Sequence, residues 1–182
     1  MIQANALHVP LKDESVQWPR ESAFSYIAGL ADGEAYFGIK KNKVRKDCQN
    51  PNYQARVQIR MVDIGAINFI KNVMGGSYYK EKPHCNNGRP LYCYQISDVA
   101  AQKFLENIFQ YLIVKRKQAE VIFDFRLLQK YSRLYKTKTT GFRTAFGRKD
   151  KIPNYSYSDE YINECEELYL KCKELNRVGR ND

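Results

Sequence analysis

Phe24-Ser25-Tyr26-Ile27-Ala28-Gly29-Leu30-Ala31-Asp32-Gly33-Glu34-Ala35-Tyr36-Phe37 decides the fold. It reads as an apolar helix that ends on an acidic pair and runs directly into a strand. Phe24, Ile27 and Leu30 recur at helical spacing, and Pro19 suits the first turn. Gly29 and Gly33 lie four apart, one above the other on a helix face. Bare backbone there admits a second helix at close range. Glu34 projects from the helix end, beside whatever the helix pairs with. Two such helices would set two carboxylates side by side. Close carboxylates either share a proton or hold a divalent cation. The same periodicity also fits a buried amphipathic helix with an ordinary polar end.

After Glu34 the period changes to two. Phe37 and Ile39 fall on one face, with Tyr36, Gly38, Lys40 and Asn42 on the other. Residues 43–51 read as a basic turn. A second strand follows, with Tyr53, Ala55, Val57, Ile59 and Met61 on one side and Asn52, Gln54, Arg56, Gln58 and Arg60 on the other. The pattern predicts a helix from Asp63 to Met74, ended by Gly75-Gly76. Two more strands are expected at Ser77–Lys82 and Leu91–Ile96, joined by the turn-rich Pro83–Pro90. Helical patterns resume at Val99–Phe109, Lys115–Tyr131 and Ser158–Leu175. Thr137–Tyr157 reads as irregular and basic, either a phosphate-contacting loop through Arg143, Arg148 and Lys149 or a flexible one. Residues 1–17 are polar and weakly periodic, an N-terminal tail or capping arm, which leaves 18–182 as a single domain.

The 182 residues suffice for one domain with a substantial core. Thirty Lys and Arg against 20 Asp and Glu give a net charge of +10, with a pI near 9.3. That balance favours a polyanionic partner through phosphate neutralisation and counterion release. No segment has the length and apolarity of a membrane span, and the N-terminus carries no secretory pattern. The five cysteines (Cys48, Cys85, Cys93, Cys165, Cys172) are odd in number and lack paired spacing. They fit reduced intracellular thiols. Nothing around His84-Cys85 completes a zinc site.

The second strand's polar face is the chain's strongest recognition signal. Asn52, Gln54, Arg56, Gln58 and Arg60 contain no acid. Arg pairs with guanine edges and Asn or Gln with adenine edges, and a β-ribbon fits the major groove. Lys40 and Asn42 extend this surface onto the first strand. Lys80, Lys82, Arg89 and Gln95 are expected to extend it onto the second hairpin. An ordinary solvated sheet face remains the alternative.

Ile27-Ala28-Gly29-Leu30-Ala31-Asp32-Gly33-Glu34-Ala35 resembles the signature of the LAGLIDADG homing endonucleases. Ile27 replaces the leading Leu and Ala35 the closing Gly. Tyr111-Leu112-Ile113-Val114-Lys115-Arg116-Lys117-Gln118-Ala119 is similar to the family segment that carries a lysine of the catalytic pocket, here Lys115. Glu174-Leu175-Asn176-Arg177 resembles the family's usual ending. The resemblance covers about residues 22–177. It implies the α+β homing-endonuclease fold, αββαββα, with a curved four-stranded antiparallel DNA-binding sheet and additional C-terminal helices.

One signature copy implies a homodimer packed through the first helices, with Ala28, Gly29 and Gly33 at the interface. It also implies a long pseudo-palindromic site on double-stranded DNA, cut with a stagger. Glu34 and Lys115 are then the catalytic residues, with Glu34 and the Gly33 carbonyl as metal ligands. Asp32 caps or bonds near the helix end. Mg²⁺ is the expected cofactor, with Mn²⁺ able to substitute and Ca²⁺ expected to bind without efficient cleavage. An intron maturase that binds intron RNA, or a catalytically silent DNA-binding regulator, is the alternative on the same scaffold. The setting is intracellular, in a bacterial, phage or archaeal cytoplasm or an organelle.

Overall fold

The computed structural model describes residues 6–8, 17–44, 50–82, 88–144 and 151–177. Helix α1 (Arg20–Glu34) starts behind Pro19 and ends on the acidic pair. Its core face is Ala23, Phe24, Ile27, Ala28 and Ala31. Strand β3 (Ala35–Asn42) follows with no intervening loop, and β4 (Asn52–Met61) returns antiparallel to it. Helix α2 (Ile64–Met74) is capped by the Asp63 carboxylate, which accepts from Ala66 N at 3.0 Å. It ends at Gly75 and Gly76, whose φ values of 74° and 84° require glycine-like freedom. Strands β5 (Ser77–Glu81) and β6 (Leu91–Ser97) complete a four-stranded antiparallel sheet in the order β3-β4-β6-β5.

Helices α3 (Val99–Ile108), α4 (Arg116–Lys130) and α5 (Asp159–Leu175) follow. They bury one face of the sheet, as alternating apolar residues on an antiparallel sheet require. Phe37, Ile39, Val57, Ile59 and Tyr94 meet Ile27, Ile67, Ile70, Leu105, Ile108, Ile122 and Phe125 in one core. The expected αββαββα order and its further C-terminal helices are therefore present. The edge strand β3 is anchored to α5 at both ends. Lys41 Nζ donates to Glu166 Oε2 at 2.7 Å, and Asn176 Nδ2 donates to Phe37 O at 2.8 Å.

Four sequence expectations need correction or placing. The described residues of the segment 137–157 are not irregular. Strands β7 (Lys136–Thr144) and β8 (Lys151–Tyr157) form an antiparallel ribbon with a bulge between Lys138 and Phe142. The bulge and the interspersed cations hid the alternation. Residues 6–8 pair as β1 (Ala6–His8) with β2 (Gln17–Pro19), inside the segment expected as a tail or arm. Cys48, His84 and Cys85 lie outside the described residues. Cys93, Cys165 and Cys172 are buried free thiols.

Asp98 joins the sheet to the helical layer. It is the one non-glycine residue at positive φ among the described residues, at 51°. Its N–H donates to Ala55 O at 2.9 Å. Its carboxylate accepts from Ala55 N at 3.2 Å and Gln54 Nε2 at 3.1 Å. Asp98→Ala should lower unfolding free energy by about 1–2 kcal/mol in urea titration. Asp98→Asn should lose less, since Asn tolerates that backbone and keeps an acceptor.

Candidate nucleic-acid interface and catalytic end

The C-terminal end of α1 meets the N-terminal end of α4. Two reciprocal sets of hydrogen bonds join them. The Asp32 carboxylate accepts from three successive backbone N–H groups, Ile113 at 2.8 Å, Val114 at 3.2 Å and Lys115 at 2.9 Å. Lys115 Nζ donates to Ala31 O at 2.9 Å and Asp32 O at 2.6 Å. Each charge thus sits on the helix end of opposite polarity. Helix α1 has no basic residue in its own last turn, so Lys115 supplies that cation from the neighbouring segment.

An ammonium has three donors and no acceptor. Two Lys115 donors are committed to α1, which leaves one for an incoming oxygen. Burial pulls the Lys115 pKa below the ordinary lysine value, while the charges of Asp32 and Glu34 push it back up. Glu34 is exposed, and its carboxylate makes none of the side-chain hydrogen bonds found among the described residues. The two acidic residues are therefore unequal. Asp32 is spent on backbone and Glu34 is available.

The free Glu34 carboxylate is an oxygen donor of the kind that hard divalent cations take. Among the described residues, no group of three His, Cys, Asp or Glu side chains could hold a metal within one protomer.

The face of α1 turned away from the core carries Ser22, Ser25, Tyr26, Gly29 and Gly33, all exposed and at helical spacing. A Cβ built on Gly29 or Gly33 meets nothing within 4 Å. Ala28, expected at the interface, is instead fully buried in the protomer core. The 100° step places it with Phe24 and Ala31 rather than with Gly29.

The sheet's other face is the polar one. Register sets Tyr36, Gln58, Gln95 and Ser77 in one cross-strand row, and Gly38, Arg56 and Ser97 in the next. Lys40 pairs with Gln54 and Asn42 with Asn52. Arg56 lies mid-sheet with its Nε buried and without a hydrogen-bond partner. Tyr36 lies across the bare backbone of Gly38, where an added Cβ would fall 2.3 Å from its ring. Gln58 is buried on this face, donating to Cys93 Sγ at 3.0 Å and Gln95 Oε1 at 3.5 Å. Gln54 is engaged with Asp98, and Arg60 Nε donates to Glu81 Oε1 at 3.0 Å.

Not every residue expected on this surface joins it. Lys80 pairs with Tyr92, in the register row of Met61 on the opposite face. Lys82 lies just past the end of β5. Arg89 is exposed ahead of β6. Sequence reasoning missed Glu81, which places an acid on this face, and Tyr79 and Cys93, which pair beside Arg60. Strand alternation carried that signal, but it needed the register between strands.

The fold is that of DNA-bound homing endonucleases. The protein superposes on I-CvuI, crystallised with its target in the presence of Ca, with a TM-score of 0.63 and 16% identity, over 86% of this chain and 83% of that one. It superposes on the archaeal intron-encoded homing endonuclease I-Vdi141I, complexed with DNA, with a TM-score of 0.57 and 18% identity, over 87% and 85% of the two chains. Residues 27–132, more than half of the sequence, match the family model for LAGLIDADG endonucleases, and the chain belongs to that family. No curated protein matches it by sequence.

Asp32 accepts charge-assisted bonds in a partly covered position. Asp32→Ala should lower stability by about 2 kcal/mol in chemical denaturation. Asp32→Asn should fall between, because it keeps one acceptor oxygen and loses the charge. Equal stability of all three proteins would contradict the clamp.

Proposed function

We propose that this protein is a site-specific DNA endonuclease that acts as a homodimer, with each protomer supplying Glu34 and Lys115 to a catalytic end shared by two α1 helices. The observation that carries this reading is the division of labour at that end. Asp32 is consumed by structure, Glu34 is left free, and the glycine face beside it is open. Two α1 helices crossing at Gly29 and Gly33 would bring two Glu34 carboxylates together. Two-fold symmetry then selects a pseudo-palindromic target, with one half-site under each sheet.

Hydrolysis replaces the bond from phosphorus to the leaving 3′ oxygen with one to a water oxygen. Glu34, with the Gly33 carbonyl, would hold a divalent ion, which would supply Lewis-acid stabilisation and lower the pKa of an attacking water. Mg²⁺ is the ion we expect, with Mn²⁺ able to replace it and Ca²⁺ supporting binding alone. Lys115 directs its free donor at charge developing on phosphate oxygen, in a part-buried setting that strengthens the interaction. Its two fixed bonds hold that donor in place before substrate arrives. The polar sheet face positions the duplex. Arg56, with an orphan donor, and Gln58 and Gln95 in the adjacent row are the central base-reading candidates. Lys40, Asn42, Asn52 and Gln54 extend the same surface toward the far end of the sheet. The two chains would cut with a stagger, and residues 18–182 would act as one domain behind the 1–17 arm.

Cleavage selection tests this reading. A randomised palindromic library is incubated with protein and Mg²⁺, in parallel with Ca²⁺, and the ends are sequenced. Specific staggered ends should form with Mg²⁺ only. Glu34→Gln should abolish them while the protein still binds DNA. Lys115→Met should slow cleavage about 10²- to 10³-fold. If Lys115 acts as a cation, the rate should fall on the alkaline side below the ordinary lysine range, and Lys115→Arg should move that fall upward. Intact DNA from a folded dimer with adequate site coverage would redirect the reading to a DNA-binding regulator, or to an intron-RNA maturase.

Gly29→Ala separates dimer from monomer. In an isolated protomer the substitution meets no atom and should stabilise α1 by about 0.5–1 kcal/mol. Across a close helix pair the new methyl groups collide. Sedimentation should therefore show weakened association, and a stabilised monomer with unchanged mass would refute the interface.

A further inference from the structure

The ribbon of β7 and β8 has no part in the function proposed above. It follows the residues that match the family, which end at 132. Between 136 and 157 the sequence holds Lys136, Lys138, Arg143, Arg148, Lys149 and Lys151 against Asp150 alone. Six cations less one anion is a net +5, half of the chain's +10. Charge this concentrated, with one compensating acid, is a surface for a polyanion, where each neutralised phosphate releases counterions.

The ribbon's base is fixed in the fold. Asn50 Nδ2 donates to Ser156 Oγ and to Tyr157 O, both at 3.1 Å. Ser158 N donates to Tyr135 O at 2.8 Å. The Tyr157 ring stacks on Tyr161 of α5, with centroids 4.6 Å apart. Lys136 lies over the Tyr157 ring at 5.1 Å and is still exposed, as is Lys138. Backbone pairing continues outward to Thr144 and Lys151. A nine-residue strand such as β7 spans roughly 30 Å.

The anchor defines where along a duplex this arm would act. Asn50 stands just before β4, whose Asn52 pairs with Asn42 at the end of β3 remote from Glu34. The eight residues of β3 separate those ends by roughly 25 Å, about seven base steps at 3.4 Å. Just past β3, Lys43 is exposed, and Arg45 and Lys46 follow in sequence. The ribbon's anchor at Asn50 and the exposed Lys43 therefore both lie at the end of the sheet remote from Glu34.

We propose that the β7–β8 ribbon is a second DNA-contacting arm, which holds backbone phosphates of the duplex flanking each half-site. It lengthens the footprint beyond the sheet and adds affinity without reading sequence. The proposal rests on the DNA-binding reading above.

The test compares wild-type protein with the Lys136→Gln/Lys138→Gln/Lys151→Gln variant in Ca²⁺. Two duplex sets share a selected central site. One ends at the sheet's footprint, and the other extends about one helical turn on each side. Wild-type affinity should rise about tenfold or more with the extension, and the variant should lose that gain. The variant's slope of log affinity against log salt should shrink by about one for each phosphate that its protomer no longer neutralises. Its binding to the short duplex and its melting temperature should hold. Equal length dependence in both proteins would overturn the proposal. So would variant loss confined to a structured intron RNA, which would assign the ribbon to RNA. Wild-type protein that binds neither duplex would instead sink the endonuclease reading itself.

Discussion

The exchange of hydrogen bonds between Asp32 and Lys115 is the constraint on which the junction of α1 and α4 depends. A carboxylate at the end of α1 takes three N–H groups at the start of α4. An ammonium at the start of α4 takes two carbonyls at the end of α1. Neither helix has the right charge in its own sequence for its own end, so each borrows it from the other. The exchange also decides chemistry. With Asp32 occupied, each protomer retains one uncommitted carboxylate there, Glu34, and one ammonium with a single donor to spare. In the function proposed above, a centre that needs two carboxylates would be assembled from two chains.

From that end the sheet runs outward as a graded surface. Next to Glu34 stand Tyr36 and Gln58, and in the next row Gly38 and Arg56; Gln58 is buried and Arg56 half-buried, while Tyr36 lies exposed across Gly38. Farther out stand Lys40, Asn42 and Asn52, with free polar ends. Local prepositioning is densest where geometry must be fixed and sparsest where phosphate attraction suffices. The Arg60–Glu81 pair works against simple charge attraction on the face. A partially neutralised arginine held in one orientation discriminates by fit more than by charge.

Much of this was legible in the sequence, for identifiable reasons. The switch from period 3.6 to period 2 at Glu34 located the junction of α1 and β3. The alternation from Asn52 to Met61 separated core from polar face correctly along the whole of β4. Asp63 and Gly75-Gly76 marked both ends of α2. Other features depend on contacts that no local pattern carries. Ala28 and Gly29 are neighbours in sequence, yet they point to the core and to solvent, because the hydrophobic stripe runs through 24, 27, 28 and 31. Lys80 fell on the unexpected face because a short strand with Tyr at consecutive positions gives no clear alternation. Glu81 and Cys93 reach the polar face only through the register of β5, β6 and β4. The ribbon escaped notice because its bulge breaks the alternation between Lys138 and Phe142. The capping role of Asp32 was anticipated, but its partners, eighty residues on, were not.

Mixing protomers tests the shared catalytic end most directly. Wild-type and Glu34→Gln chains are refolded together in varied ratios, and total strand scission at the selected site, nicks included, is measured with Mg²⁺. A centre built from two chains predicts that hybrid dimers fail, so activity falls with the square of the wild-type fraction. A linear fall would mean that each protomer carries a complete site. That result would contradict the account, whatever the oligomeric state.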